Sequence, residues 1–376
     1  MALGYLIVLG GSYLQGHFLT DAQGRPIAND FVNVWAAGRL ALDGAAPAAY
    51  DWTLHRAAEV RAVGYDFDGY YGWHYPPPAF FFAAALATLP YLVAAVVWLT
   101  TTLAAYAAAI AGILGLRTGI LFALGFPAAI WNVTAGQNGF LTAALIGGTL
   151  GLLERHPALA GICLGLLTYK PQFGLLFPIV LIADRRWLTI AIATLTAIML
   201  AALSWLAFGS ASWEAFVHWA PLSSHALIDE GALDWYRLQS VFAFARAHGG
   251  SEPLAWTVQG ILSLLLAIGL VWLWRSRVAF ALKAAALAAG ALLATPYLFM
   301  YDLVVLAVAV AFLLRFALAR EFLSRVEGAA LAAAGALILI YPYVKTQVGL
   351  AAVAIVMVLV VHRAVVAARL ASEAMG

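Results

Sequence analysis

From residue 79 onward the chain is an almost unbroken series of apolar runs, separated by short polar or basic breaks. This feature decides the fold class. A bilayer core offers no water to backbone N–H and C=O groups, so such runs satisfy them only as helices. Composition agrees: the 376 residues are 65% hydrophobic and only 10% charged, with a mean hydropathy of +0.93. A soluble domain carries about 25% charged residues. The chain therefore reads as an all-α polytopic membrane protein. Its one cysteine, Cys163, lies inside an apolar run, so no disulfide forms within the chain.

The first apolar run, Leu3 to Leu19, has no basic residue ahead of it and no small-residue cleavage site, so a cleaved signal peptide is not expected. It is short for a span of ~20 residues, so it starts either upstream or at the membrane surface. A polar region over 20–78 follows, inside a first loop that runs to 90. Within it, Phe31, Val34, Trp35 and Leu42 share a helical face, which predicts a short amphipathic helix from Asp30 to Leu42 lying on the membrane. A second short helix is expected from Thr53 to Val63. Pro78 to Leu89 is half a span stopped by Pro90, and Tyr91 to Leu114 is a full one. Further apolar segments fall near 118–132, 138–153, 157–169, 171–183, 187–208, 255–274, 279–295, 298–316, 327–342 and 347–367. A second polar loop covers 209–253. The expectation is one membrane-embedded domain, 1–376, with about 12 transmembrane or re-entrant helices.

Charge sets the orientation. With the N-terminus in the cytoplasm and alternating spans, the inner side receives 12 basic and 5 acidic residues, and the outer side 8 basic and 13 acidic. Arg185-Arg186 and Arg275 with Arg277 then lie in short inner loops, as the positive-inside rule asks. Both termini are expected inside. The outer side collects the unusual polar residues: Asp30, His74, Gly136-Gln137-Asn138, Tyr169-Lys170-Pro171-Gln172, Thr295-Pro296-Tyr297 with Tyr301-Asp302, and Tyr341-Pro342-Tyr343 with Lys345. Function is expected on that face.

Each of these residues has two readings. Asp30 is either a helix N-cap or a general base, since a carboxylate near a low-dielectric surface gains proton affinity. Lys170, between two apolar runs, either snorkels to the interface or holds a phosphate. Gln137 and Asn138 cap helix ends or bind sugar hydroxyls. Asp302, beside Tyr301, is a functional acid or a partner for Lys170 or Lys345. His74 contacts a phosphate or packs. His218 and His225 lie in the second outer loop. No His/Cys/Asp/Glu spacing points to a metal, and no glycine-rich nucleotide loop is present.

In order along the chain stand Asp30 with Ala36-Ala37-Gly38-Arg39, Gly44 and Tyr50-Asp51; Tyr75-Pro76-Pro77; Gly136-Gln137-Asn138; Leu159-Ala160-Gly161 with Tyr169-Lys170-Pro171-Gln172; and Thr295-Pro296-Tyr297 with Tyr301-Asp302. This ordered set resembles glycosyltransferase family 87, membrane enzymes with the C-type glycosyltransferase (GT-C) fold. The resemblance implies a polyprenyl-phosphate sugar donor, an inverting transfer to a hydroxyl of a lipid-linked or glycan acceptor, and an aspartate in the first outer loop as base, the position of Asp30. Mannose is the hexose such a family suggests. Donor phosphate and sugar would be met by Lys170, Gln137, Asn138, His74, Gln172, Tyr301 and Asp302. No metal, cofactor or nucleic acid is expected, and the enzyme would sit in the inner (plasma) membrane with its site extracytoplasmic. A polysaccharide polymerase, a lipid flippase and a small-molecule transporter are the alternatives.

Overall fold

A computed structural model of the chain describes residues 1–224, 234–320 and 323–373. Eighteen α-helices are present among them. In chain order they are α1 Ala2–Leu14, α2 Phe31–Leu42, α3 Trp52–Val63, α4 Phe80–Ala87, α5 Tyr91–Leu114, α6 Leu116–Gly125, α7 Ala128–Ala135, α8 Gly139–Leu152 and α9 Pro157–Leu166. Then follow α10 Leu176–Ala183, α11 Trp187–Phe208, α12 Ser210–Ser224, α13 Val241–Ala247, α14 Glu252–Arg275, α15 Phe280–Ala294, α16 Leu306–Arg320, α17 Arg325–Leu339 and α18 Val348–Glu373. The only described sheet is a two-residue hairpin, His17–Phe18 against Thr20–Asp21. His225 and Glu321 lie outside the described residues.

Among the described residues, five helices are long and apolar enough to cross a membrane: Tyr91–Leu114, Trp187–Phe208, Glu252–Arg275, Met300–Ala319 and Val348–Ala368. The segment expected as one span over 118–132 is instead two helices, α6 and α7, bent by 65° at their break, and a sixth span if counted together. Pro127 explains the bend: it disfavours helix at Phe126 and supplies no N–H. Most of the other expected spans are shorter apolar helices. The chain is a polytopic helical membrane protein.

The chain packs as two compact units, the first from Met1–Ala104, Ile130–Gln137 and Ala197–Ala232 and the second from Ala105–Ala129, Asn138–Thr196 and Leu233–Gly376. In the first unit, α2 departs from expectation. Phe31, Val32, Asn33, Val34, Ala36, Ala37, Gly38 and Leu40 are all buried, so protein covers most of the helix and leaves Arg39 and Leu42 exposed near its end. Gly38 makes this possible, because a Cβ there would sit 2.0 Å from the Ala83 carbonyl oxygen of α4. Trp35 Nε1 donates to the Leu89 carbonyl at 2.9 Å and ties α2 to the residues just after α4. Helix α3 starts where the Asp51 carboxylate accepts from the backbone of Thr53 and Leu54, an N-cap in full. Trp73 stacks on Phe80 at 5.2 Å, and Tyr50 meets Phe80 edge-on, so the loop before α4 is pinned by aromatic packing.

The second unit is built around α15. Its alanine-rich sequence buries 12 of its 15 residues, Leu282 and Ala284 through Ala294. Small side chains let neighbouring helices approach closely where lipid supplies no hydrophobic drive. The same device seats α9 on α11: Cβ atoms at Gly161 and Gly165 would clash with Ile192 and Thr196. Outside that seam α11 is largely uncovered, with only 6% of its 18-residue apolar window buried.

Candidate active site

Asp30 stands one residue ahead of α2, at its N-cap position. Its side chain makes no capping hydrogen bond. Asn29 does the local work instead: its Oδ1 accepts from the Phe31 N–H at 3.0 Å. The Asp30 carboxylate is half-buried, and its Oδ2 accepts from Gln137 Nε2 at 3.1 Å. The Gln137 amide is oriented in turn, since Tyr75 OH donates to its Oε1 at 3.4 Å. Tyr50 OH donates to the Tyr75 carbonyl at 2.8 Å. A chain of neutral groups therefore ends on the carboxylate.

The break that delivers Gln137 requires glycine. Gly136 has φ +71°, and a Cβ on it would fall 2.9 Å from both Asn29 Oδ1 and the Phe31 Cβ. A left-handed backbone and a close approach to the residues flanking Asp30 are thus combined at one position.

Behind this network α3 carries His55 and Glu59, both fully buried. His55 Nε2 lies 3.7 Å from Glu59 Oε1, and Arg56 Nη1 lies 3.7 Å from Oε2. Glu59 Oε1 accepts from the Tyr71 N–H at 3.1 Å. Burial pushes the Glu59 carboxyl up to about 8, against the pull of Arg56. Burial also brings the His55 imidazole down to about 3, helped by His74. Neither His55 nitrogen has a hydrogen-bond partner. The ring of His74 lies over Gly72. Desolvation by surrounding protein draws it down to about 4, whereas its own surface is open to solvent. The open surface weakens that pull, and both readings leave the ring neutral at pH 7.

The second unit holds the other candidates. Lys170 follows a 3-10 turn, Leu167–Tyr169, and begins another, Pro171–Gly174. Its Nζ lies 2.7 Å from Asp302 Oδ1, in a pair that is nearly dry, at 7% and 0% side-chain exposure. Tyr301 and Phe173 present their rings to the ammonium at 5.1 and 5.5 Å. Asp302 Oδ2 accepts from the Phe299 N–H at 3.3 Å and organises the 3-10 turn Met300–Val305 that leads into α16. Of the partners expected for Asp302, Lys170 is the one found, while Lys345 lies over the Tyr236 ring. Gln172 is half-buried in the turn after Lys170. Asn138 is buried ahead of α8, where its carbonyl accepts from Tyr169 OH at 3.3 Å. Among the described residues no group of three or more His, Cys, Asp or Glu could hold a metal ion.

The model of glycosyltransferase family 87 matches residues 73–296, more than half of the chain. The chain belongs to glycosyltransferase family 87. The match takes in His74, Gln137, Asn138, Lys170 and Gln172 and leaves Asp30, Tyr301 and Asp302 outside it. Comparison with curated proteins and with solved structures gives no match. As a member of this family, the protein is a membrane glycosyltransferase, using a sugar donor and an acceptor.

The structure thus gathers Asp30 and Gln137 into one hydrogen-bonded group, and Lys170, Tyr301 and Asp302 into another. Tyr75, Asn29, His55 and Glu59 were not singled out as site residues from sequence. The tyrosine-rich composition of the first loop and the i, i+4 spacing of His55 and Glu59 were the signals available.

Proposed function

We propose that the protein transfers a hexose, with mannose the first to test, from a polyprenyl-phosphate donor to a hydroxyl of a lipid-linked or glycan acceptor, with inversion. The observation that supports this most is the state of Asp30. It heads a buried helix without capping it, and an oriented amide holds one of its oxygens. A carboxylate has about four lone-pair sites, so an amide contact can orient it while it still accepts a proton. Asp30 takes the acceptor's proton as the hydroxyl oxygen bonds to the anomeric carbon. The bond from that carbon to the phosphate oxygen breaks on the opposite face, and its electrons leave with polyprenyl phosphate. The charge on this leaving group is smaller than on a nucleotide diphosphate, which favours a metal-independent reaction.

For the donor phosphate, Lys170 serves as the cation by exchanging Asp302 for the phosphate, with the aromatic rings of Tyr301 and Phe173 retained around it. The charge balance of the loops favours a plasma-membrane enzyme with both termini cytoplasmic and the reaction on the extracytoplasmic side.

The test uses purified protein in lipid with polyprenyl-phosphate hexoses and candidate acceptors, reading released polyprenyl phosphate. Wild-type protein releases it, and Asp30→Asn loses about 10³-fold in rate with unchanged size-exclusion behaviour. Full activity in Asp30→Asn removes the base assignment. Movement of donor across the bilayer without release would mark a flippase.

A further inference from the structure

We propose that Tyr65, Tyr71 and Tyr91 are positioning residues for Asp30. Their hydroxyls bond the three consecutive carbonyls that precede Asn29-Asp30. Tyr65 OH donates to the Pro26 carbonyl at 2.9 Å, Tyr91 OH to Ile27 at 3.3 Å, and Tyr71 OH to Ala28 at 3.3 Å. The segment these groups hold belongs to no helix or strand. An isolated β-bridge, Pro26 to Thr20, with the Ile27 N–H donating to the Leu19 carbonyl at 2.9 Å, anchors its start, and a stretch with so little ladder is the part of a fold that wanders first. Side-chain hydroxyls extend that support to the Pro26, Ile27 and Ala28 carbonyls.

The three tyrosines come from different places, which makes the arrangement a clamp rather than a local turn. Tyr65 follows α3, Tyr71 belongs to the loop before Trp73, and Tyr91 opens α5. Each is itself fixed. The Arg25 guanidinium covers the Tyr65 ring at 4.5 Å. The Tyr71 N–H is held by the buried Glu59 carboxyl. The Tyr91 ring packs on Phe31 and Trp35, at 5.7 and 6.3 Å. Tyr91 OH also reaches Asn29 Oδ1 at 3.4 Å, the atom that starts α2. The clamp therefore acts on the backbone immediately before Asp30 and on the first turn after it. A base displaced by about 1 Å loses on the order of 10²-fold in rate, so the hydroxyls act on turnover although none needs to touch substrate.

The inference rests on Asp30 as the base, and its test separates the two. Tyr65→Phe, Tyr71→Phe, Tyr91→Phe and the triple variant keep every ring and remove only hydroxyls. In the full-length protein, hydrogen–deuterium exchange of the 24–33 peptide rises in the triple variant. Its kcat falls about 100-fold and that of Tyr71→Phe about 10-fold, while KM for donor and acceptor stays near the wild-type values. Unchanged exchange in 24–33 overturns the clamp whatever Asp30 does. So does wild-type kcat in the triple variant when Asp30→Asn is inactive, or a loss carried by KM alone. Activity retained in Asp30→Asn, with raised exchange in the tyrosine variants, overturns the base assignment and leaves the clamp as a purely structural device, which also ends its catalytic claim.

Discussion

Two aspartates sit at the entrances of helices in this protein, and their surroundings differ in kind. Asp30, half-buried ahead of α2, is held by an amide that accepts from the Tyr75 phenol, whose own backbone carbonyl accepts from Tyr50. Asp302, fully buried in the turn before α16, is held by an ammonium at 2.7 Å and by a backbone N–H. A neutral donor orients a carboxylate and leaves its charge in place. A cation at contact distance cancels that charge and turns the residue into part of the scaffold. Desolvating two ions is tolerated only when they stay together. On the function proposed above, reactivity falls to Asp30 and order to Asp302, with Lys170 reaching a ligand only by changing partners.

The strongest way to break this contrast is to separate the ion pair. Lys170→Met leaves a buried carboxylate unpaired and should cost about 3–5 kcal/mol, read as a large drop in thermal midpoint in detergent. Asp302→Leu should do the same from the other side. The double variant Lys170→Met/Asp302→Leu should recover most of that loss, since replacing both charges with apolar groups is often neutral. The recovered protein then tests the donor role. A raised KM for the polyprenyl-phosphate sugar, with stability restored, makes Lys170 a phosphate ligand. An unchanged KM confines the pair to holding the turn.

A smaller effect sharpens the other side. Gln137→Leu removes the amide from Asp30 and the acceptor from Tyr75. Stability should hold within about 1–3 kcal/mol, the cost of orphaning a buried hydroxyl. Turnover should fall about tenfold, in kcat rather than KM, as an orienting contact would require. A wild-type kcat in Gln137→Leu would show that Asp30 needs no orientation from this side.

Much of the frame was legible before any coordinates. The start of α2 beside Asp30 follows from the apolar residues after it, and α5 matches its run from Tyr91 to Leu114. These elements depend on local pattern, which a sequence displays. The close packing of α4 on Gly38, which buries most of α2, was not legible from its face of apolar residues. The pairing of Lys170 with Asp302 bridges 132 positions, and that of Gln137 with Asp30 bridges 107. Sequence offered Lys170 as one of two partners for Asp302; the choice between them, and the pairing of Gln137 with Asp30, come from how helices pack, which periodicity does not encode. The motifs pointed to candidate residues, and the fold showed which of them meet.

The least of the expected effects concerns the pair behind Asp30 and is a matter of pH. Burial holds the Glu59 carboxyl at about 8, well above its ordinary value, with Arg56 pulling the other way. The folded state therefore binds a proton that the unfolded state has released. The stability this represents is complete below the ordinary carboxyl range and is lost as pH rises through about 8. His55 runs opposite: its imidazole sits at about 3, so its contribution is present above the ordinary imidazole value and lost as pH falls toward 3. Above about pH 7.5, where the histidines of an unfolded chain are mostly neutral, the opposing contribution of His55 and His74 has nearly gone and that of Glu59 remains. Stability should fall there by at most about 1.4 kcal/mol per pH unit, and by less because Arg56 supports the charged form. Glu59→Gln keeps an acceptor for the Tyr71 N–H and should flatten that slope while leaving the pH 5 to 6 stability close to wild type. An unaltered slope would mean that Glu59 is charged in the folded protein, with Arg56 as its true partner. The Asp30 neighbourhood would then hold a second ionised carboxylate, and neutral support would no longer distinguish it from the Asp302 site.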